Sequence, residues 1–228
     1  MADPLLVIFD CDGVLVDSEI IAAAVETSML QEQGIEIEAG DFATRFAGLT
    51  WPTVMRRLSE ETGARFPDDF AARVDAEIDR RLESEVEEIA GAREALERLT
   101  LPRCICSNSS TRRLELMLDH VGLWDFFAPH VFSAPESGTM KVKPAPDVFL
   151  YACEQFSVPP KASIVIEDSV HGVAGAAAAG CRVVGFTGGG HSYPGHAEQL
   201  AEAGAETVIK RLADVPAVVE ALALWSDA

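Results

Sequence analysis

The chain has 228 residues, a formal net charge of −19 at pH 7 and a hydrophobic content of 48%. That length holds one large domain, or a core domain with a small companion, and the apolar fraction supplies material for a core. So acidic a surface excludes nucleic acid, whose phosphates need Lys and Arg, and an anionic membrane. A small anionic ligand stays compatible if a metal or a local group of cations reverses the sign inside one cleft.

Met-Ala-Asp-Pro and the run Leu5–Phe9 do not read as a signal peptide, because the run is short, lacks a basic flank and ends in aspartates. Leu5–Phe9 reads instead as a buried strand. From about Asp17 to Glu88 the patterning is helical only, with Ile20–Gln33, Pro52–Thr62 and Asp68–Glu87 as candidate helices punctuated by Gly34, Gly48 and Gly63. Beyond that segment, apolar runs at Pro102–Cys106, Ser163–Ile166 and Arg182–Phe186 read as further strands, with shorter ones at Val131–Ser133 and Thr207–Ile209. Helical patterns alternate with them over Ala92–Leu99, Thr111–Val121, Pro146–Phe156, Val170–Ala179, Pro194–Glu202 and Ala213–Leu224. This alternation predicts an α/β fold, a doubly wound and mostly parallel Rossmann-like sheet carrying an inserted α-helical domain. The expected boundaries are 1–16 with 88–228 for the core and 17–87 for the insertion. The five cysteines, Cys11, Cys104, Cys106, Cys153 and Cys181, form no Cys-x-x-Cys pair and read as free thiols of a cytoplasmic protein.

In a doubly wound sheet, ligands bind beyond the carboxyl ends of the strands. The first strand ends in Asp10-Cys11-Asp12-Gly13, the second in Ser107-Asn108-Ser109 and a later one in Glu167-Asp168, while a loop carries Lys143-Pro144. Two carboxylate pairs, a hydroxyl and a lysine on one rim suit metal-assisted phosphoryl transfer. A phosphate ester repels an attacking carboxylate, so the site needs positive charge. Mg²⁺ supplies it and prefers oxygen ligands, here Asp10, Asp168 and the Asp12 carbonyl. Lys143 adds a fixed cation, and Ser107 with Asn108 can hold phosphate oxygens. Attack by Asp10 gives an aspartyl-phosphate. Asp12 can protonate the leaving oxygen and then activate water. Gly13 lets the backbone turn closely around the phosphate.

Asp10-x-Asp12-Gly13-Val14, Ser107, Lys143-Pro144 and Glu167-Asp168 resemble, in order, the four motifs of the haloacid dehalogenase-like superfamily. The nearest subgroup contains the phosphoglycolate-type and sugar-phosphate phosphatases and β-phosphoglucomutase. The resemblance implies that Asp10 is the nucleophile, Asp12 the general acid/base, Ser107 and Lys143 the phosphate clamp, and Glu167 and Asp168 the acidic Mg²⁺ pair. It also implies that 17–87 is a cap, with Arg45, Gly48, Leu49 and Thr50 in its substrate-reading segment. Trp51 can simply pack between helices. The second aspartate disfavours dehalogenation, and no lysine precedes Lys141, which closes a Schiff-base route through the cap. The mutases carry a cap His where this chain has Ala22, and cap lysines that it lacks. The expected activity is therefore a Mg²⁺-dependent phosphatase acting on a small phosphorylated metabolite, a sugar or sugar-acid phosphate. A phosphosugar mutase and a non-catalytic ligand-binding protein are the alternatives. Members of the family are often monomers, which favours a monomer here. His171, and the segment Gly188-Gly189-Gly190-His191 with His196, read as a local contact and a flexible loop respectively. The triple Gly lacks the Gly-Lys-Ser/Thr ending of a P-loop.

Overall fold

The computed structural model describes residues 6–46 and 51–225. The chain divides between Asp17 and Ser18, and again between Val86 and Glu87, into two compact units.

The outer unit is built on a six-stranded sheet of order β3-β2-β1-β4-β5-β6. Its strands are β1 (Leu6–Phe9), β2 (Arg103–Ser107), β3 (Val131–Ser133), β4 (Ser163–Glu167), β5 (Arg182–Phe186) and β6 (Thr207–Ile209). Every ladder is parallel, so the sequence expectation of a mostly parallel sheet becomes a wholly parallel one among the described residues. β1 is central because all four of its residues are apolar and buried, as a strand covered on both faces requires. Its neighbours are in register, with Ile8 opposite Cys104 of β2 and Val165 of β4. Strand order reverses between β2 and β4 on either side of β1, and that reversal opens a crevice at the strands' carboxyl ends.

Helices α5 (Ala92–Arg98), α6 (Thr111–His120), α7 (Asp147–Phe156), α8 (Val170–Ala179), α9 (His196–Ala203) and α10 (Val215–Trp225) belong to this unit; α1–α4 form the inner one, below. One apolar layer joins Leu6, Ile8, Cys104, Val165 and Val183 of the sheet to Phe149 and Ala152 of α7 and Val173 and Ala176 of α8. Each fully buried large side chain contributes about 1.5–3 kcal/mol. Helix α8 is rich in Ala and Gly, which lets it lie close to the sheet's rim. A Cβ at Gly172 would fall 2.0 Å from the Glu167 carboxyl carbon, and one at Gly175 would fall 3.0 Å from the Pro144 carbonyl oxygen.

The inner unit holds α1 (Ser18–Glu32), α2 (Ala39–Phe46), α3 (Trp51–Thr62) and α4 (Phe70–Glu85). Arg45 and Phe46 end helix α2, and the rings of Phe42 and Phe46, one turn apart, meet at a tilt of 42° with centroids at 5.1 Å. Trp51 packs between helices: its ring lies 6.0 Å from Phe42 and 5.6 Å, edge-on, from Phe70. Arg56 pairs with Glu60 at 3.1 Å and Arg80 with Glu77 at 2.6 Å on the surface of this unit. Among the described residues no helix is long and apolar enough to cross a membrane. All five cysteines are free thiols.

Candidate active site

The carboxyl ends of β1, β2 and β4 bring Asp10, Asp12, Ser107, Asn108, Glu167 and Asp168 to one rim, joined there by Lys143 from the loop before α7. The Lys143 ammonium is the hub. Its Nζ lies 2.5 Å from Asp10 Oδ1 and 2.6 Å from Glu167 Oε2, and all three side chains are less than 10% exposed. Burial alone would lower the Lys143 pKa, but Asp10 and Glu167 outweigh it and hold it above the ordinary lysine value. Asp10 is shifted well up, first by burial and then by the Glu167 charge, with Lys143 acting in the opposite sense.

Both oxygens of Glu167 accept hydrogen bonds. Its Oε2 accepts from Lys143, while Oε1 accepts from the Ser169 amide at 3.1 Å and the Ser169 hydroxyl at 2.8 Å. Ser169 also caps α8, accepting from the Gly172 amide at 2.9 Å. Gly172 is required because the Glu167 carboxylate fills the space its side chain would take. Asn108, expected to hold phosphate, spends its side chain on the main chain of Lys143: Oδ1 accepts from Lys143 N at 2.8 Å, and Nδ2 donates to Lys143 O at 3.4 Å. It thereby ties the end of β2 to the lysine loop.

Asp12 Oδ2 accepts from the hydroxyls of Ser107 at 3.1 Å and Ser109 at 2.9 Å. The Ser109 amide in turn donates to Ser107 Oγ at 2.9 Å, which fixes the hydroxyl pair. Gly13 has φ +76°, a left-handed conformation that glycine tolerates, and a Cβ there would lie 2.0 Å from Asp168 Oδ2. Cys11, between the two aspartates, is buried and its thiol is pushed well up by that burial and by Asp12, which makes it a poor nucleophile.

Oxygens of Asp10, Glu167 and Asp168 lie within 4.8 Å of one another, the spacing of a cation cluster. Three carboxyl groups meet one ammonium here, and a divalent ion would balance the excess of acidic groups. The residues present therefore fit such an ion, and oxygen donors of this kind suit Mg²⁺.

The serines at 109 and 169 escape sequence reasoning, because their partners Asp12 and Glu167 are identified only by the fold. The Gly188–His191 segment is no loose loop. His191 Nε2 lies 2.9 Å from Asp168 Oδ2, and His196 Nε2 donates to the Asp168 carbonyl at 2.7 Å. A run of three glycines before a histidine was the available signal. His171 is exposed on the first turn of α8. Arg45 pairs with Glu61 at 2.5 Å, and Gly48, Leu49 and Thr50 lie outside the described residues.

A parallel α/β sheet with this rim is the framework of an enzyme that handles an anionic group by combining carboxylates with cations. The chain belongs to the haloacid dehalogenase-like hydrolase family, whose model matches residues 5–180. It is 31% identical over 189 residues to 6-phosphogluconate phosphatase of Escherichia coli, covering 82% of this chain and 85% of that one. Among solved structures, a haloacid dehalogenase-like protein from Agrobacterium tumefaciens superimposes with a TM-score of 0.91 at 52% identity, covering 96% and 99% of the two chains. A hydrolase of the same family from Deinococcus radiodurans, with bound phosphate and sodium, gives 0.85 at 33% identity and 98% coverage of both.

Proposed function

We propose that this hydrolase is a Mg²⁺-dependent phosphatase that releases inorganic phosphate from a small phosphorylated metabolite, a sugar or sugar-acid phosphate. The observation that carries the reading is the buried Lys143 bridging Asp10 and Glu167 inside a carboxylate cluster. The relative that acts on 6-phosphogluconate and the relative holding phosphate and sodium support the same chemistry.

In this reading an Asp10 oxygen forms a bond to phosphorus as the ester P–O bond breaks, giving an aspartyl-phosphate. Asp12, held by Ser107 and Ser109, protonates the departing oxygen. It then takes a proton from water as that water attacks phosphorus and frees Asp10. Lys143 holds the phosphoryl oxygens, joined by the Ser107 hydroxyl when its one proton turns from Asp12 to the phosphate and leaves Ser109 on Asp12, and Asn108 and Glu167 fix Lys143. Mg²⁺ held by Asp10, Asp168 and the Asp12 carbonyl supplies charge neutralisation when bound. Glu167 orients Lys143 through Oε2 and would meet the ion directly or through a water. The α1–α4 unit serves as the cap, with Arg45 and Gly48–Thr50 in the segment that reads the substrate. The five free thiols support a reducing cytoplasmic setting, and we take the working form to be a monomer.

A panel of phosphate esters assayed with Mg²⁺ and with EDTA tests this. Free phosphate released only with metal, and lost in Asp10→Asn, is the expected result. An isomerised sugar phosphate as the product would make the enzyme a mutase, and silence on every ester would overturn the proposal.

A further inference from the structure

The triple-glycine segment after β5 is packed against the site in a way that the proposed reaction leaves unexplained. A carboxylate only accepts hydrogen bonds, so the 2.9 Å contact places a proton on His191 Nε2, donated to Asp168 Oδ2. The imidazole cannot drift. A Cβ at Gly13 would lie 2.7 Å from its Cε1, and a Cβ at Gly189 would lie 2.9 Å from the ring and 2.8 Å from the Gly13 carbonyl oxygen. A Cβ at Gly188 would fall 2.4 Å from the Lys210 carbonyl oxygen, so positions 188 and 189 can follow this path only as glycine. The Gly190 amide is anchored on the Asp17 carboxylate at 3.2 Å. His196 meanwhile grips the main chain of the same aspartate, with its own ring stacked on Tyr193 at 4.7 Å. Asp168 is thus held by imidazole donors at both its side chain and its backbone. Among the described residues His191 Nδ1 has no partner, so Asp168 is the ring's one polar contact.

We propose that His191 is a positioning residue for the cation site: its Nε2–H fixes the Asp168 carboxylate in the orientation that keeps an oxygen within reach of Asp10 and Glu167. The inference rests on the reading of Asp168 as a metal ligand. Groups that orient a ligating side chain typically change metal affinity by about 10–100-fold when removed. The Gly188–His191 segment is then a support for the metal ligand, built from the loop that follows the neighbouring strand.

The test is Mn²⁺ binding to the full chain without substrate, followed by electron paramagnetic resonance, with Mg²⁺ as competitor. His191→Ala should weaken both ions by about 10–100-fold. His191→Gln, whose amide nitrogen can reach the Nε2 position, should stay within a few-fold of wild type. His191→Asn, too short to reach, should follow alanine and serves if the alanine variant does not fold. Equal affinity in the wild type, Ala or Asn variant, or tighter binding without the imidazole, overturns the proposal. Asp168→Asn separates the two readings. If it binds Mn²⁺ as wild type does, the metal assignment itself is wrong. If it loses binding while His191→Ala keeps it, only the role of His191 falls.

Discussion

Replacing Lys143 with methionine keeps most of the side-chain volume and removes the one cation among Asp10, Glu167 and Asp168. The Lys143 side chain is 3% exposed, Asp10 8% and Glu167 1%, so the small energies of surface ion pairs do not apply. Removing one member of a buried pair strands the other charge at about 3–5 kcal/mol. At about 2–4 °C per kcal/mol for a chain of this size, melting should fall by about 6–20 °C. The loss should depend on pH. Asp10 has a folded pKa above its unfolded value, so its ionisation weakens the fold progressively as pH rises through that window. Without Lys143 the window widens upward, and the deficit at pH 8 should exceed the deficit at pH 5.5. Circular dichroism melting of wild type and Lys143→Met in EDTA at both pH values is the assay. A loss below about 1 kcal/mol at pH 8, or an equal loss at both pH values, would refute the reasoning.

Gly172→Ala should gain up to about 1 kcal/mol in helix propensity and still lower both melting temperature and turnover, since its Cβ would sit 2.0 Å from the Glu167 carboxyl carbon. Ser109→Ala removes one of two hydroxyls on Asp12, and should slow alkyl phosphate hydrolysis by about tenfold. It should barely affect a nitrophenyl phosphate, whose leaving group departs without a proton; equal slowing of both esters would count against Asp12 as the acid. In the inner unit, burial, with Glu19 and Asp75 nearby, raises the Glu26 pKa to about 8. A raised carboxyl weakens the fold as pH climbs from its unfolded value of 4.5 toward 8, so Glu26→Gln should raise the melting temperature at pH 9 and leave it nearly unchanged at pH 4.

The strands and their polar ends were legible because β1, β2, β4 and β5 are short apolar runs that stop at charged, hydroxyl or glycine residues. Position at a strand end is enough to bring Asp10, Ser107 and Glu167 together in a parallel sheet. Helix α2 was harder. Phe42 and Phe46 are one turn apart, but the helix is eight residues long and carries Gly40, so a loop read equally well. The partners of individual side chains were not legible at all. Whether Asn108 holds phosphate or the Lys143 backbone depends on a loop 35 residues away, and His191 meets Asp168 only because β5 runs beside β4. The glycines at 172, 188 and 189 were the visible trace of those contacts, since each sits where a side chain would collide.

The position of β1 has a bearing on how the protein is made. Its four apolar residues leave the ribosome well before their pairing partners, which begin at Arg103 on one side and Ser163 on the other. During synthesis an aggregation-prone strand is therefore exposed until more than half of the chain has followed, the kind of delayed, long-range closure that slows folding and invites chaperones. The Asp10–Lys143–Glu167 bridge cannot form before β4 arrives. A nascent chain thus carries Asp10 long before Lys143 and Glu167 are there to meet it.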